Sequence, residues 1–224
     1  MEKISVIIPT LWKCTDNLIN LIQILSISPY LGEIIIINNS CDDISNDMDN
    51  VIIHTPPKNL YVNPSWNLGV TLSKYNKFAL LNDDILISTN LLESACNFLD
   101  TPNIGLIGVE EHSIVVHSIE NIELEYYTDS KIEYIPVSNR SFGFGIAMFG
   151  NKSSYYEIPD ELKVWCGDDY LIMRNNADKK QTYVVKSKIK HLGSLTSDLD
   201  VFNEVKQNDL NVYQKMDKNF WYKG

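Results

Sequence analysis

Glu33-Ile34-Ile35-Ile36-Ile37-Asn38-Asn39-Ser40 is a β-branched run that stops abruptly at three small polar residues. An unbroken apolar run of this kind suits a strand buried on both faces, because neither face can then be polar. Upstream, Ile4-Ser5-Val6-Ile7-Ile8 reads the same way and is closed by Pro9, which cannot donate to a ladder. Between them Leu18, Ile19, Ile22 and Leu25 recur at helical spacing, with Thr15 or Asp16 placed to cap the helix. Strand, helix and strand within about forty residues make a βαβ unit, which predicts a parallel sheet with right-handed crossovers.

Working outward, the alternation continues. The pattern predicts a short strand at Val51 to His54, a break at Pro56-Pro57, a helix from Pro64 to Ser73 and a strand from Phe78 to Leu81. Asn82-Asp83-Asp84 ends that strand, and a helix over Asn90 to Leu99 and a strand at Ile104 to Val109 complete this half. Beyond Glu110 the style changes: strands are expected at Ser113 to His117, Ile122 to Tyr126 and Lys131 to Val137 with no helix between them. Ser141 to Gly150 mixes apolar residues with glycines, as where backbone approaches a ligand or another strand closely. Helical signals follow around Ser153 and after Asp168, a strand at Tyr183 to Lys186 leads toward His191, and Asp198 to Lys215 is loosely helical.

The 224 residues, 44% of them hydrophobic, suffice for one good-sized core. The 29 acidic against 19 basic residues give a formal charge of -10, which opposes non-specific binding to nucleic acid or anionic lipid. Cys14, Cys41, Cys96 and Cys166 form no C-x-x-C pair and lack the density of a stapled secreted domain, so reduced thiols in a cytosol-like compartment are expected. The apolar run before Pro9 is too short for a signal peptide or a membrane span. The expected location is therefore cytoplasmic, soluble or peripherally membrane-associated.

In an open α/β sheet, ligands sit beyond the carboxyl ends of the strands. That rule selects Pro9-Thr10, Asn38-Asn39-Ser40 and Asn82-Asp83-Asp84, each polar directly after a buried run. Adjacent carboxylates repel unless a cation or tight solvation offsets their charge. A hard divalent ion shared between carboxylates and a substrate diphosphate is one solution, and a solvated turn is the other.

Taken in order, Ile4-Ser-Val-Ile-Ile-Pro-Thr10, residues 33–40, Asn63-Pro-Ser-Trp-Asn-Leu-Gly69, Leu80-Leu-Asn-Asp-Asp-Ile85, Trp165-Cys-Gly-Asp-Asp-Tyr-Leu-Ile-Met-Arg174 and His191-Leu-Gly-Ser194 resemble the ordered motifs of family 2 glycosyltransferases. The resemblance implies the GT-A arrangement: an α/β fold whose Rossmann-like, mostly parallel nucleotide-binding sheet is joined to a mixed α+β acceptor half. It divides the chain into a single domain at 1–195, with the nucleotide-sugar half at 1–109 and the acceptor half at 110–195, and a C-terminal helical tail at 196–224.

The resemblance also implies roles. Pro9, Thr10, Asn38 and Ser40 line the nucleotide pocket, with Asn38 where the family often has a base-contacting Asp. Asn67 and Gly69 match an Asn-x-Gly at a helix under the diphosphate-sugar site. Asn82-Asp83-Asp84 stands at the Asp-x-Asp metal motif, with Asn in place of the first acid, which puts Asp83 on the donor and Asp84 on the metal. Asp169 is the implied base, and His191 matches a late histidine that reaches the metal or diphosphate in some relatives. Arg174 is expected to pair with an acid or with phosphate, and Trp165, directly before the acids, is the aromatic best placed to stack on a ligand.

The function so implied is an inverting, Mn²⁺- or Mg²⁺-dependent transfer of a hexosyl or deoxyhexosyl unit from a nucleotide-diphosphate sugar to a hydroxyl on a glycan. Two other readings stay open: a nucleotidyltransferase, and a non-catalytic sugar-nucleotide or carbohydrate-binding module on the same fold. A nucleotidyltransferase more often carries a basic Gly-rich loop where this chain has Pro9-Thr-Leu-Trp-Lys13. The tail carries Phe220-Trp221-Tyr222 and a helical apolar face, so it is expected to pack on the domain or to join a second subunit in a homo-oligomer.

Overall fold

The computed structural model describes residues 2–42, 44, 48–117, 124–193 and 202–216. Strand β1 (Ile4–Thr10), helix α1 (Thr15–Ser26) and strand β2 (Leu31–Asn38) form the first βαβ unit, with Ile8 opposite Ile36 in a parallel ladder. Then come β3 (Val51–His54), α2 (Val62–Leu72), β4 (Lys77–Leu81), β5 (Ile85–Ile87), α3 (Leu91–Phe98) and β6 (Ile104–Val109). The remainder comprises β7 (Ile114–Val116), β8 (Glu133–Val137), β9 (Ala147–Asn151), α4 (Gly167–Ala177), β10 (Gln181–Lys186), β11 (Ile189–His191) and α5 (Asn203–Lys215).

Among the described residues, eight strands make one sheet in the order β3-β2-β1-β4-β9-β6-β10-β8. Only β9 and β8 run against the rest, so the fold is mixed α/β with a large, mostly parallel central sheet. The alternation of each strand explains the two layers that cover it. Ile4, Val6 and Ile8 of β1 join the core under α1 and α3, whereas Ile7 joins the core under α2 and α4. Close packing fixes β9 between its neighbours: a Cβ on Gly150 would lie 2.7 Å from Phe78 and 2.8 Å from Leu106. A small second sheet, β5-β11-β7, sits at the carboxyl end of β4.

Several local expectations are corrected. Cys14, not Thr15 or Asp16, occupies the N-cap of α1, and its side chain makes no capping bond. Helix α2 begins at Val62, which leaves Pro64 in the first turn, where its missing N–H costs nothing. The strand at 85–87 was not expected; it pairs antiparallel with β11. Part of the expected strand at Ile122 to Tyr126 lies outside the described residues, and Leu124 to Tyr126 form no ladder. Around Ser153 there is a single 3₁₀ turn, Lys152–Ser154, rather than an α-helix. Pro136 is tolerated in β8 because that strand is the sheet's edge.

Candidate active site

The carboxyl ends of β1 and β4 form one wall of the site. Thr10 Oγ1 donates to Asp83 Oδ2 at 2.5 Å and accepts from the Trp12 N–H at 2.8 Å. From α1, the Asn17 amide donates to the carbonyls of Asp83 (2.7 Å) and Ile85 (3.1 Å). The backbone on both sides of Asp84 is thereby fixed. Burial, with the neighbouring Asp84 charge adding to it, pushes the Asp83 carboxyl up to about 6 despite the Thr10 hydrogen bond. Burial first, then the charges of Asp83 and Asp84, raise the Cys14 thiol to about 12, so it is held in the protonated form at neutral pH.

The small sheet delivers His191 to Asp84. Antiparallel pairing sets His191 opposite Ile85, and Leu192 N–H donates to the Asp84 carbonyl at 2.9 Å. His191 Nε2 then lies 3.3 Å from Asp84 Oδ2, while the buried Asp84 Oδ1 has no hydrogen-bond partner. A bare carboxylate oxygen is a ligand that a hard divalent cation accepts, whereas the imidazole beside it is a softer donor. Among the described residues no three His, Cys, Asp or Glu side chains gather as a metal-holding group, so a cation here would depend on substrate oxygens.

The opposite wall is the start of α4 and the loop before it. Cys166 adopts a left-handed φ of 62° and Asp168 Oδ1 accepts from the Asp169 N–H at 3.0 Å. Arg140 reaches across, its Nε 3.2 Å from Asp169 and its Nη1 3.8 Å from Asp168. Burial and the Asp169 charge push the Asp168 carboxyl up to about 6, against the pull of Arg140. From α2, the fully buried Asn63 donates to the carbonyls of Leu162 and Trp165, both at 3.2 Å, and its own N–H donates to Lys163 O at 2.9 Å. A Cβ at position 167 would lie 2.2 Å from Asn63 Oδ1, so the close approach demands Gly167.

Between the walls lies a cleft of about 630 Å³ lined by Pro9, Thr10, Asp83, Asp84, Asp169 and His191, with Tyr61, Trp66, Trp165, Phe202 and Tyr213 among its aromatic residues. Four expected pocket residues stand behind it instead. Asn38 is fully buried and ties Trp12, Ser40, Asp42 and Thr55 together, while Ser40 spends its hydroxyl on Asn38. Asn67 accepts from Tyr155 and Ile158 and donates to the Ile158 carbonyl. Gly69 is where α2 rests on β1, since a Cβ there would lie 2.2 Å from Ile7 Cγ2.

Arg174 is also away from the cleft lining: it bonds the Tyr170 hydroxyl at 3.1 Å and covers the Tyr156 ring at 4.5 Å. Asn39, next to Asn38, lines the cleft, as does Arg140. The strand-end rule had selected Asn39, whereas sequence reasoning assigned no role to Asn17, Asn63 or Arg140. Asn39 and Asn63 lay inside the quoted motifs, whereas Asn17 and Arg140 carried no signal.

This mixed α/β fold with a mostly parallel central sheet is one that the chain shares with solved structures. It is similar to S. aureus TarS 1-349, with a TM-score of 0.56 and 14% identity over 97% of this chain and 73% of that one. The same TarS fragment in complex with UDP gives 0.57 and 14% over the same shares. A longer S. aureus TarS chain gives 0.54 and 15% over 96% of this chain and 44% of that one. At such identities the likeness is one of fold. No protein-family model and no curated protein matches the chain. Among the described residues no helix is long and apolar enough to cross a membrane.

Proposed function

We propose that this protein is an inverting glycosyltransferase of family 2 character that takes its sugar from a nucleoside diphosphate donor. The observation that carries the reading is the convergence of two acid pairs, one on strand ends and one on a helix start, across a single cleft. The fold likeness to the S. aureus TarS fragment solved in complex with UDP supports the donor class. The catalytic domain is taken as 1–195 and the remainder as a helical tail.

In this reading Pro9, Thr10 and Asp83 shape the donor side of the cleft. Asp84 and His191 are the residues that would hold Mn²⁺ or Mg²⁺, which when bound would offset the charge of the diphosphate leaving group. Asp169 takes the proton of an acceptor hydroxyl, such as one on a glycan, as that oxygen attacks the anomeric carbon. The bond from that carbon to the diphosphate breaks and its electron pair leaves with the phosphate oxygen, which inverts the configuration. Arg140 orients the Asp169 carboxylate toward the cleft. Asn38, Ser40, Asn67 and Gly69 act one layer back, as the scaffold of the pocket rather than its surface.

A thermal-shift screen of nucleotides and nucleotide sugars, with and without Mn²⁺, tests the reading. A metal-dependent rise in melting temperature with one nucleotide diphosphate, followed by sugar transfer to an acceptor, supports it. Release of pyrophosphate would instead point to a nucleotidyltransferase, and stabilisation by a donor that is never turned over would leave a binding module.

A further inference from the structure

The residue that α5 buries is an acid: Asp209 is completely inaccessible, while its neighbours Asn208 and Asn211 are exposed. A surface helix normally buries apolar side chains, so a carboxylate in that place needs compensating donors. It has three, and they are consecutive amides. Lys163 N–H donates to Oδ1 at 3.0 Å, and Val164 and Trp165 N–H donate to Oδ2 at 2.7 and 2.9 Å. Successive amides converging on one anion form a nest, and here the nest ties the loop to α5.

The same loop is gripped from its other side. Its carbonyls at Leu162, Lys163 and Trp165 are taken by Asn63 of α2, while its amides go to Asp209 of α5. Directly after it come the left-handed Cys166, Gly167 and the acids Asp168 and Asp169. Leu210 and Tyr213, which flank Asp209 on α5, also line the cleft.

We infer that Asp209 is a positioning residue: through its amide nest, α5 sets where Trp165 and the helix start bearing Asp169 stand in the cleft. Its kinetic consequence rests on the transferase reading above; its geometric consequence does not. Asp209 touches no reacting atom. A shift of about 1 Å in catalytic geometry is enough to slow a reaction about a hundredfold, so the nest acts on turnover more than on donor affinity.

Asp209→Ala removes all three bonds, and Asp209→Asn keeps the volume with a single acceptor oxygen, so their effects should be graded. Backbone amide NMR with hydrogen exchange on the full chain reads the loop directly. Exchange at Lys163, Val164 and Trp165 should speed at least about tenfold in the Ala variant and less in the Asn variant, with resonances of Cys166 to Asp169 displaced. In transfer assays kcat should fall at least about tenfold while the UDP dissociation constant stays within about twofold. If the Ala variant does not fold, the Asn variant alone carries the comparison. Protected amides, or unmoved resonances at Cys166 to Asp169, overturn the inference, as does an unchanged kcat. A parent chain that transfers no sugar would remove the transferase reading, and the NMR measurements would then decide the role of Asp209 by themselves.

Discussion

The wall that carries Asp83 and Asp84 is made of strand ends, whereas the wall that carries Asp168 and Asp169 is made of a loop and a helix start. On the first, position comes from ladders already needed for the sheet, with Thr10 and Asn17 adding the last bonds. On the second, position comes from side chains of distant elements, Asn63 about a hundred residues upstream and Asp209 downstream. On the proposed reading, a donor with a fixed diphosphate geometry suits a wall set by the sheet, while acceptors vary in shape and suit a wall whose placement can be retuned by a few residues.

The comparison breaks first at Asp169, the proposed base. Asp169→Asn keeps size and hydrogen bonding but takes no proton at neutral pH, so transfer should fall by about a hundredfold or more while donor binding stays near parental. Asp168→Asn should be milder. Steady-state kinetics with a calorimetric donor titration separates the two, and a product of retained anomeric configuration would end the single-displacement reading.

On the wall set by the sheet, Asp84→Ala should weaken Mn²⁺-dependent nucleotide binding by at least about tenfold with the melting curve in the absence of nucleotide preserved. Equal nucleotide affinity with Mn²⁺ and with EDTA in the parent protein would remove the metal from this strand end. Gly69 offers a sharper distinction between scaffold and surface. Gly69→Ala forces a methyl against Ile7 and should cost about 1–3 kcal/mol in denaturant unfolding, with nucleotide affinity of the folded fraction unchanged. A loss of affinity at unchanged stability would return Gly69 to the pocket.

The smallest effect concerns Asp83, whose carboxyl is raised to about 6 by burial first and by Asp84 second. Between its unfolded and folded values the native state holds more protons than the unfolded chain, so this group's contribution to stability falls as pH rises through that window. Asp83→Asn should therefore stabilise the protein without metal by about 1–2 kcal/mol near pH 8, and the gain should vanish toward pH 4. Melting temperatures of the two proteins across that range check the sign; a gain that grows on acidification would refute the burial argument.

The parallel strands were legible because a strand buried on both faces must be apolar throughout, as Ile34 to Ile37 are. Strand β5 escaped notice because it directly follows the acids and finds its partner in β11, about a hundred residues later; such pairing leaves no local trace. Asp83 and Asp84 stood out as polar residues at a strand end, whereas Asp168, Asp169 and His191 were picked out only by the order of the motifs; all five line the cleft. Asn38 and Asn67 were assigned to the right loop and helix but the wrong layer, since sequence cannot tell a side chain that faces a ligand from one bonded to the backbone behind it. Asp209 was invisible for a related reason: in Gln207-Asn208-Asp209-Leu210 an acid looks solvated.

Strand β9 lies between β4 and β6, although it follows both in the chain. During synthesis, β4 and β6 have therefore emerged as open edges well before the strand that joins them. Until residues 147–151 are available, each offers unpaired backbone to any passing strand, including that of another nascent chain. β6 waits longer still for its other neighbour, β10, so the long-range pairings at the centre of the sheet all come late in the chain. A nascent chain stalled short of Ala147 would accordingly be a customer for chaperones, whereas one that has passed Lys186 can pair both edges of β4 and of β6.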